Sequence, residues 1–248
     1  MLNLVLASAS PRRRELLTQA GFVFEVRPAH IPEEPQVGEG PIAYVVRLAR
    51  EKAEAVYREA GVRGQGSGVR ERAAADPSTA LRSAPDDSLS GVGQGTGPRL
   101  GAQDDGLVVV GADTTVVVDG MILGKPEDAA DAARMLRMLS GRSHRVITGV
   151  AVVRSPVPEL GPGAPIRVEV AAEVTAVKFL ALSDQDIADY IATGEPMDKA
   201  GAYAIQGRAA KWIPRIEGDY FNVVGLPLAL VTSLLEGAAA RLAGRQRF

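Results

Sequence analysis

The N-terminal segment constrains the fold most strongly, because it predicts a strand that turns directly into a helix. A mostly apolar run over about 2–7 is followed at once by residues 8–17, SASPRRRELL. Ser10 is a suitable helix N-cap, and Pro11 suits the first helical turn, where its missing N–H leaves no partner unsatisfied. The segment therefore predicts a strand–turn–helix unit at the start of the domain.

The start of this helix is unusually basic. Arg12, Arg13 and Arg14 stand at the positive end of the helix dipole, where cations are disfavoured. This helix start is a suitable binding site for a polyanion, because it offers free backbone N–H groups, the hydroxyls of Ser8 and Ser10, and several arginines. A solvated basic turn is the alternative, and this stretch alone does not decide between the two.

Strands and helices interleave along the rest of the chain, which predicts the α/β class with a mixed sheet. Asp119-Gly120 between two apolar runs is a strong signal for a two-residue hairpin. The predicted strands lie at 2–7, 22–26, 107–111, 114–118, 121–123, 146–153, 167–180, 210–216 and 222–224. The predicted helices lie at 11–20, 41–59, 128–139, 184–192 and 226–242.

One internal stretch differs in composition from the rest. Residues 61–105 contain no aromatic residue, no Ile and no Met, and are dominated by Gly, Ser, Arg and Asp. Such a segment buries too little apolar surface to offset its ordering entropy. We expect a disordered insertion within a single domain that spans 1–248, and a docking arm is the alternative.

Composition excludes several classes of function. The chain has 248 residues, no Cys, only two His and a net charge of −2, so disulfides, thiolate sites and cysteine catalysis are excluded. The charge provides no general attraction to nucleic acid or anionic membranes. We see no apolar stretch of ~20 residues and no basic-then-apolar leader. We therefore expect a soluble, cytoplasmic protein without nucleic-acid or membrane partners.

Candidate catalytic groups are carboxylates and lysines. Asp113 is predicted just past a buried strand, where α/β sheets usually hold their sites, although a turn-capping Asp is the alternative. Lys125 follows the hairpin, and Asp198 and Lys199 lie in a glycine-punctuated loop that precedes Gln206. A set that lacks Cys and is poor in His suits a phosphate-bearing substrate with a divalent metal better than acyl transfer or redox chemistry.

Five ordered blocks then identify a family: SASPRRREL, GADTTVVVDGMILGKPEDAADA, LSGRSHRVITGV, DKAGAYAIQG and NVVGLPL. In order and spacing the chain resembles the Maf family of nucleoside triphosphate pyrophosphatases over about 1–60 and 106–236. The resemblance implies a long twisted mixed β-sheet with flanking helices and two lobes around a cleft, similar to the inosine triphosphate pyrophosphatases. It also implies cleavage between the α- and β-phosphates with a divalent metal, Mg²⁺ or else Mn²⁺ or Co²⁺. A homodimer is in keeping with the family, although nothing in the sequence establishes one.

The resemblance also assigns residues. Asp113 matches the catalytic acid that accepts a proton, while Arg12, Thr114 and Gln206 match the dTTP/UTP type of the family. The other matches are recurrent cleft positions: Ser8, Arg13, Glu33, Lys52, Lys125, Asp198 and Lys199.

The physical roles expected for these residues follow from their charges. Arg12, Arg13 and the backbone amides of residues 8–10 would cradle the triphosphate. Lys52, Lys125 and Lys199 would offset charge on the leaving pyrophosphate. Asp113, with Glu33, would hold the metal and orient or deprotonate the attacking water. Gln206 would pair with the imide edge of uracil or thymine. Which carboxylate is the base and which is the metal ligand stays open. The expected catalytic residues are Asp113, Lys125 and Arg13, and the expected substrate-binding residues are Ser8, Arg12, Lys52, Thr114, Lys199 and Gln206.

The sequence thus predicts hydrolysis of dTTP and UTP, and of modified pyrimidine nucleotides. One alternative is the same chemistry on 7-methyl-GTP, against which Arg12, Thr114 and Gln206 argue. The other is a nucleotide-binding regulator of septum formation. The complete set of Arg13, Asp113 and Lys125 argues against binding as the sole role.

Overall fold

The computed structural model describes residues 3–64, 106–155 and 165–236. The strands are β1 (Asn3–Leu6), β2 (Glu25–Val26), β3 (Leu107–Val118), β4 (Met121–Leu123), β5 (Ser143–Arg154), β6 (Arg167–Lys178) and β7 (Arg215–Glu217). The helices are α1 (Pro11–Gln19), α2 (Pro41–Gly64), α3 (Ala129–Leu139), α4 (Asp184–Ala192), α5 (Tyr220–Val224) and α6 (Leu228–Leu235). Three short 3₁₀ helices follow α4, at Glu195–Asp198, Ala200–Ala202 and Arg208–Trp212.

All seven strands form one mixed sheet. Its order is β2-β1-β3-β5-β6-β7, with β4 also beside β3. β1 runs parallel to β2 and β3, whereas the remaining pairs are antiparallel. The predicted α/β class and mixed sheet with flanking helices are confirmed.

One edge of β3 is shared by two short strands. β1 pairs with residues 107–110 and β4 pairs with residues 116–118, while β5 pairs along the whole opposite edge. Residues 111–115 have no strand beside them on the shared edge, within the described parts of the chain. This gap separates the two halves of the molecule and forms the predicted cleft between lobes.

Helix α2 crosses one face of the sheet at unusually close range. Ala49, Ala53 and Val56 of α2 pack on Val5 and Val109 of the sheet. The approach depends on two glycines below the helix. A Cβ atom at position 111 would lie 2.1 Å from the carbonyl oxygen of Ala49, and one at position 149 would lie 2.3 Å from that of Val45. Both positions therefore have to be glycine for α2 to lie where it does.

The opposite face of the sheet carries the other helices in two clusters. Near β1, residues from α1 and α6 pack on alternate valines of β3 and β5, with Leu17, Leu226 and Val231 fully buried. Near β4, α3 and α4 pack around Phe179 and Trp212. The sheet is thus covered on both faces, and the cleft opens at its interrupted edge.

Most predicted elements are confirmed, and their terminal residues explain why. Ser10 caps α1 through Arg13 N–H, and Asp128 caps α3 through Asp131 N–H. Asp119 and Gly120 have φ angles of 51° and 79°, the left-handed pair that a two-residue hairpin needs.

The prediction that the third strand breaks at Asp113 is wrong. β3 runs unbroken for 12 residues, because β5 pairs with it residue by residue from Val108 to Val117. Helix α2 also runs past its predicted end at 59 to Gly64, since one internal glycine costs a helix only about 1 kcal/mol. The insertion predicted at 61–105 therefore begins inside a helix, and its part from 65 onwards lies outside the described residues.

The C-terminal third contains further corrections. The strand predicted at 222–224 is wrong, because these residues belong to α5, which Asp219 caps at its start. The strand predicted at 210–216 is reduced to β7, preceded by a 3₁₀ helix. Short apolar runs cannot be assigned by periodicity alone, which explains both errors. The strand predicted at 22–26 shortens to β2. The helix predicted at 226–242 is α6, which begins at Leu228, and the predicted part from 237 onwards lies outside the described residues.

None of the helices in the described ranges is long and apolar enough to cross a membrane.

We predict that Gly149→Ala destabilises the protein by about 1–3 kcal/mol, because the added methyl group would meet the α2 backbone and force the helix off the sheet. Urea denaturation followed by circular dichroism measures this change. Gly124→Ala is the matched control, because nothing lies within 4 Å of its Cβ position. Equal unfolding free energies for the two variants would contradict the close-packing argument.

Candidate active site

A cavity of about 540 Å³ opens at the gap in the edge of β3. Its walls come from the β1–α1 turn, α2, β3, the segment after β4, the 3₁₀ helices that follow α4, and the turn after α5. All but one of the predicted site residues line it: Ser8, Arg12, Arg13, Glu33, Lys52, Asp113, Thr114, Lys125, Asp198 and Lys199. The exception is Gln206.

At the centre of the cavity two carboxylates converge on one lysine. Asp113 lies in the middle of β3, on the face that α2 crosses. Lys52 Nζ lies 2.6 Å from Asp113 Oδ1 and 2.6 Å from Glu33 Oε1. Ala53 packs on Gly111, two residues before Asp113 on the same strand face, so the neighbouring Lys52 is brought to Asp113. Asp113 and Lys52 are buried, whereas Glu33 is half exposed.

The environments of the two carboxylates move their pKa values in opposite directions. Burial raises the pKa of Asp113, and the positive charges of Lys52 and Arg13 offset only part of this effect. Burial also acts to raise the pKa of Glu33, but the hydrogen bond and charge of Lys52 outweigh it and lower that pKa. Asp113 is therefore the stronger base, and Glu33 stays ionised to lower pH.

Tyr44 of α2 holds the Glu33 segment in place. Its hydroxyl donates to the carbonyl oxygen of Glu33 at 2.7 Å. Burial, followed by the negative charges of Asp113 and Glu33, raises the pKa of Tyr44 to about 12, so the hydroxyl keeps its proton. Sequence reasoning missed Tyr44, since its helical position is equally typical of a core residue.

Arg13 connects three segments of the cavity wall. Its Nε donates to Gly225 O at 2.8 Å, its Nη1 to Ala112 O at 2.7 Å and Ser8 Oγ at 3.2 Å, and its Nη2 to Thr114 Oγ1 at 3.0 Å. Burial lowers its pKa, although Asp113 and Glu33 act in the opposite direction. Four of the five guanidinium N–H groups thus bind protein atoms, which leaves one for a ligand.

A buried polar chain continues from Arg13 across the sheet. Thr148 donates its hydroxyl hydrogen to Asn222 O at 3.1 Å, so its oxygen can accept the hydroxyl hydrogen of Thr114 at 2.9 Å. Thr114 in turn accepts from Arg13, with Gly225 O 3.4 Å away as a second acceptor. We call Arg13, Thr114, Thr148 and Asn222 the polar chain. It joins β3, β5 and α5 beneath the cavity wall.

Sequence reasoning also missed Thr148 and Asn222. Both are fully buried. Asn222 further donates to Val146 O and Thr175 Oγ1, each at 3.0 Å. The sequence did contain a signal for Thr148, because it is the polar residue within the otherwise apolar run 146–153. A buried hydroxyl needs a hydrogen-bond partner.

The remaining cations approach from both sides of the gap. Arg12 Nη2 from α1 lies 3.8 Å from Asp198 Oδ2, and Lys199 also pairs with Asp198. Gly201 N–H donates to Gly124 O at 2.9 Å, which holds the Lys199 segment beside Lys125. Positive charge from the two halves therefore meets across the cavity.

The structure does not place Gln206 in this cavity. Gln206 is exposed and is not among the lining residues. Its loop is nevertheless held firmly, because Glu195 accepts hydrogen bonds from the Tyr190 hydroxyl at 2.8 Å and from Arg208 N–H at 3.0 Å. The expected pairing of Gln206 with the nucleobase of the substrate stays a prediction from the resemblance.

The donor set fits a hard divalent cation. Within the described ranges no group of three or more His, Asp or Glu side chains converges as a metal site. Asp113 and Glu33 nevertheless present carboxylate oxygens to one point. Mg²⁺ is commonly bound by one or two carboxylates together with waters and substrate phosphates, so two ligands suffice when the substrate carries phosphates.

These groups together can support hydrolysis of a phosphate anhydride. A buried carboxylate of raised pKa can take a proton from water, and the surrounding cations can stabilise charge that develops on a leaving phosphate.

We predict that Thr148→Val costs about 1–3 kcal/mol of stability, because it breaks the polar chain and leaves buried polar atoms unpaired. Thr115→Val is the matched control. Thr115 is 2% exposed, and its hydroxyl has no hydrogen-bond partner among the described residues. The control should be neutral or stabilising. Guanidinium unfolding of both variants checks this, and a Thr148→Val protein as stable as the control would contradict the polar chain.

The chain is similar to known proteins over nearly its whole length. The chain matches the model of the family described as "Maf-like protein" over residues 3–238. It is 46% identical over 237 residues to the dTTP/UTP pyrophosphatase of Koribacter versatilis, covering 96% of this chain and 95% of that protein. It is 45% identical to the dTTP/UTP pyrophosphatase of Moorella thermoacetica, covering 95% and 94% of the two chains.

A solved structure gives a weaker likeness. The nucleoside-triphosphatase / dITP/XTP pyrophosphatase of Mycobacterium abscessus is 15% identical, with 100% of this chain and 98% of that chain covered and a TM-score of 0.36. The match to the family model over residues 3–238 and the identities of 46% and 45% to the two relatives above show that the chain belongs to the Maf family.

Proposed function

We propose that this protein is a nucleoside triphosphate pyrophosphatase that hydrolyses dTTP and UTP to the monophosphate and pyrophosphate. One observation carries the proposal: a buried carboxylate, Asp113, faces a cavity into which cations from both halves of the molecule project. The names of the relatives support the same reaction and substrates.

In this proposal Asp113 is the general base. The attacking water gives its proton to Asp113 while its oxygen bonds to the α-phosphorus, and the bond from that phosphorus to the bridging oxygen breaks. Burial of Asp113 supports this role, because a raised pKa brings a carboxylate closer to the working pH of a base. Glu33, whose pKa is lowered, stays ionised beside it.

Asp113 and Glu33 are also the groups that would hold a divalent metal, Mg²⁺ or else Mn²⁺ or Co²⁺. When bound there with the phosphates, such an ion supplies charge neutralisation and lowers the pKa of water. Asp113 itself lines the cavity, where its side chain would face the attacking water.

The cations serve the leaving group in this proposal. Arg12, Lys125 and Lys199 surround the cavity and would neutralise the charge that grows on pyrophosphate. The Ser8 hydroxyl and the backbone amides at the start of α1 would donate hydrogen bonds to the phosphate oxygens. Arg13 contributes its one remaining N–H and, above all, keeps the walls of the cavity in register.

The proposed selectivity for pyrimidines is supported by the resemblance to the dTTP/UTP type of the family and by the names of the relatives. Arg12 and Thr114 both line the cavity, where Thr114 contacts Arg13 and Thr148, whereas Gln206 is exposed and lies outside it. We therefore propose that Thr114 acts on selectivity by holding Arg13. Modified pyrimidine nucleotides share the same imide edge and are further candidate substrates. The homodimer and the cytoplasmic location stay predictions.

We predict that Asp113→Asn folds normally and loses at least about 10²-fold in kcat, the scale of general-base catalysis. The test is pyrophosphate release from dTTP, UTP, 7-methyl-GTP and modified pyrimidine triphosphates, with and without Mg²⁺. We expect metal-dependent release from dTTP and UTP by the wild type only. Full activity in Asp113→Asn would contradict the role of Asp113, and preference for 7-methyl-GTP would contradict the selectivity.

We predict that kcat/KM rises with pH through an acid limb that lies above 3.8, the ordinary carboxyl value, because burial raises the pKa of Asp113. Folding favours the protonated form of such a group. Its contribution to stability is therefore largest below 3.8 and is lost as pH rises through the folded pKa, while activity increases over the same interval. Initial rates measured from pH 4 to 9 test this, and a profile already flat at pH 4 would contradict it.

A further inference from the structure

The ammonium group of Lys52 occupies the point at which the two carboxylates of the site converge. Its Nζ lies 2.6 Å from oxygen atoms of both Asp113 and Glu33, and only 9% of its side chain is exposed. Two of its three N–H groups are therefore directed at the atoms that would bind a divalent metal.

The surrounding structure keeps Lys52 in that place. Helix α2 packs its backbone directly on Gly111 and Gly149, so a shift of the helix would break this contact. Tyr44, on the same helix, holds the Glu33 segment through its carbonyl oxygen. With α2 and the Glu33 segment in place, rotation of the Lys52 side chain would separate its ammonium from the carboxylates.

A free divalent cation and the Lys52 ammonium compete for the same oxygens. Without a nucleotide, displacing Lys52 would leave a buried ammonium without its partners, which costs free energy. Nucleotide phosphates change this balance, because they offer Lys52 new anionic partners and add ligands for the metal.

On the basis of the proposed metal-dependent reaction, we propose that Lys52 prevents free divalent cations from binding to Asp113 and Glu33. When nucleotide phosphates bind, the Lys52 ammonium leaves the two carboxylates and a metal can bind there. The metal then binds together with the nucleotide rather than before it. Metal and nucleotide must in that case strengthen each other's binding, since coupling between two ligands is reciprocal.

Binding of Mn²⁺, followed by electron paramagnetic resonance in the absence of nucleotide, tests this inference. We expect weak binding by the wild type and binding at least about tenfold tighter by Lys52→Met, which removes the competing charge. Arg50→Met is the matched control, because Arg50 lies on the same helix but pairs with Glu54. The control removes the same charge and should bind Mn²⁺ as the wild type does.

A second measurement needs no variant and so does not depend on the folding of Lys52→Met. The non-hydrolysable analogue α,β-imido-dUTP should tighten Mn²⁺ binding to the wild type at least about tenfold, and Mn²⁺ should tighten binding of the analogue by the same factor. Tight Mn²⁺ binding to the wild type without nucleotide, or equal Mn²⁺ affinity in the wild type and a folded Lys52→Met, would overturn the inference.

Pyrophosphate release by the wild type separates this inference from the proposed function. If no nucleoside triphosphate is hydrolysed while Mn²⁺ binding follows the expected pattern, the proposed reaction fails and the role of Lys52 stands. If hydrolysis proceeds and the wild type binds Mn²⁺ equally well with and without the analogue, the role of Lys52 fails and the reaction stands.

Discussion

The close contact of helix α2 with the sheet is the constraint on which the site depends. The helix backbone touches the sheet at Gly111 and Gly149, where no side chain fits between them. This contact sets the height of Lys52 above β3 and so brings its ammonium to Asp113. A side chain between the helix and the sheet would move Lys52 away from Asp113. The packing of α2 and the geometry of the Lys52–Asp113 pair therefore depend on the same contact.

The site also depends on the interrupted edge of β3. A carboxylate in the middle of a fully paired strand would be sealed within the sheet. Because β1 and β4 leave residues 111–115 open on one side, Asp113 is buried and yet faces a cavity. The polar chain from Arg13 to Asn222 then ties the walls of this opening to the strands behind it.

Much of this architecture could be predicted from local signals. The caps Ser10 and Asp128, the Asp119-Gly120 turn and the helical spacing of apolar residues act over a few residues, so they are legible in the sequence. Errors arose where distant contacts override local preference. Asp is unfavourable in strands, so the sequence predicted a break in the strand at Asp113. The pairing of β3 with β5 and the contact with Lys52 keep Asp113 within a strand.

The sequence by itself determined the class of the fold, the family and the charged residues that line the cavity, because these depend on residue types and their order along the chain. Only the tertiary structure decided what those residues do to one another. It placed Lys52 between two carboxylates, used most donors of Arg13 within the protein, and left Gln206 outside the cavity. Such contacts join residues far apart in sequence, and the packing of helices on the sheet sets their distances.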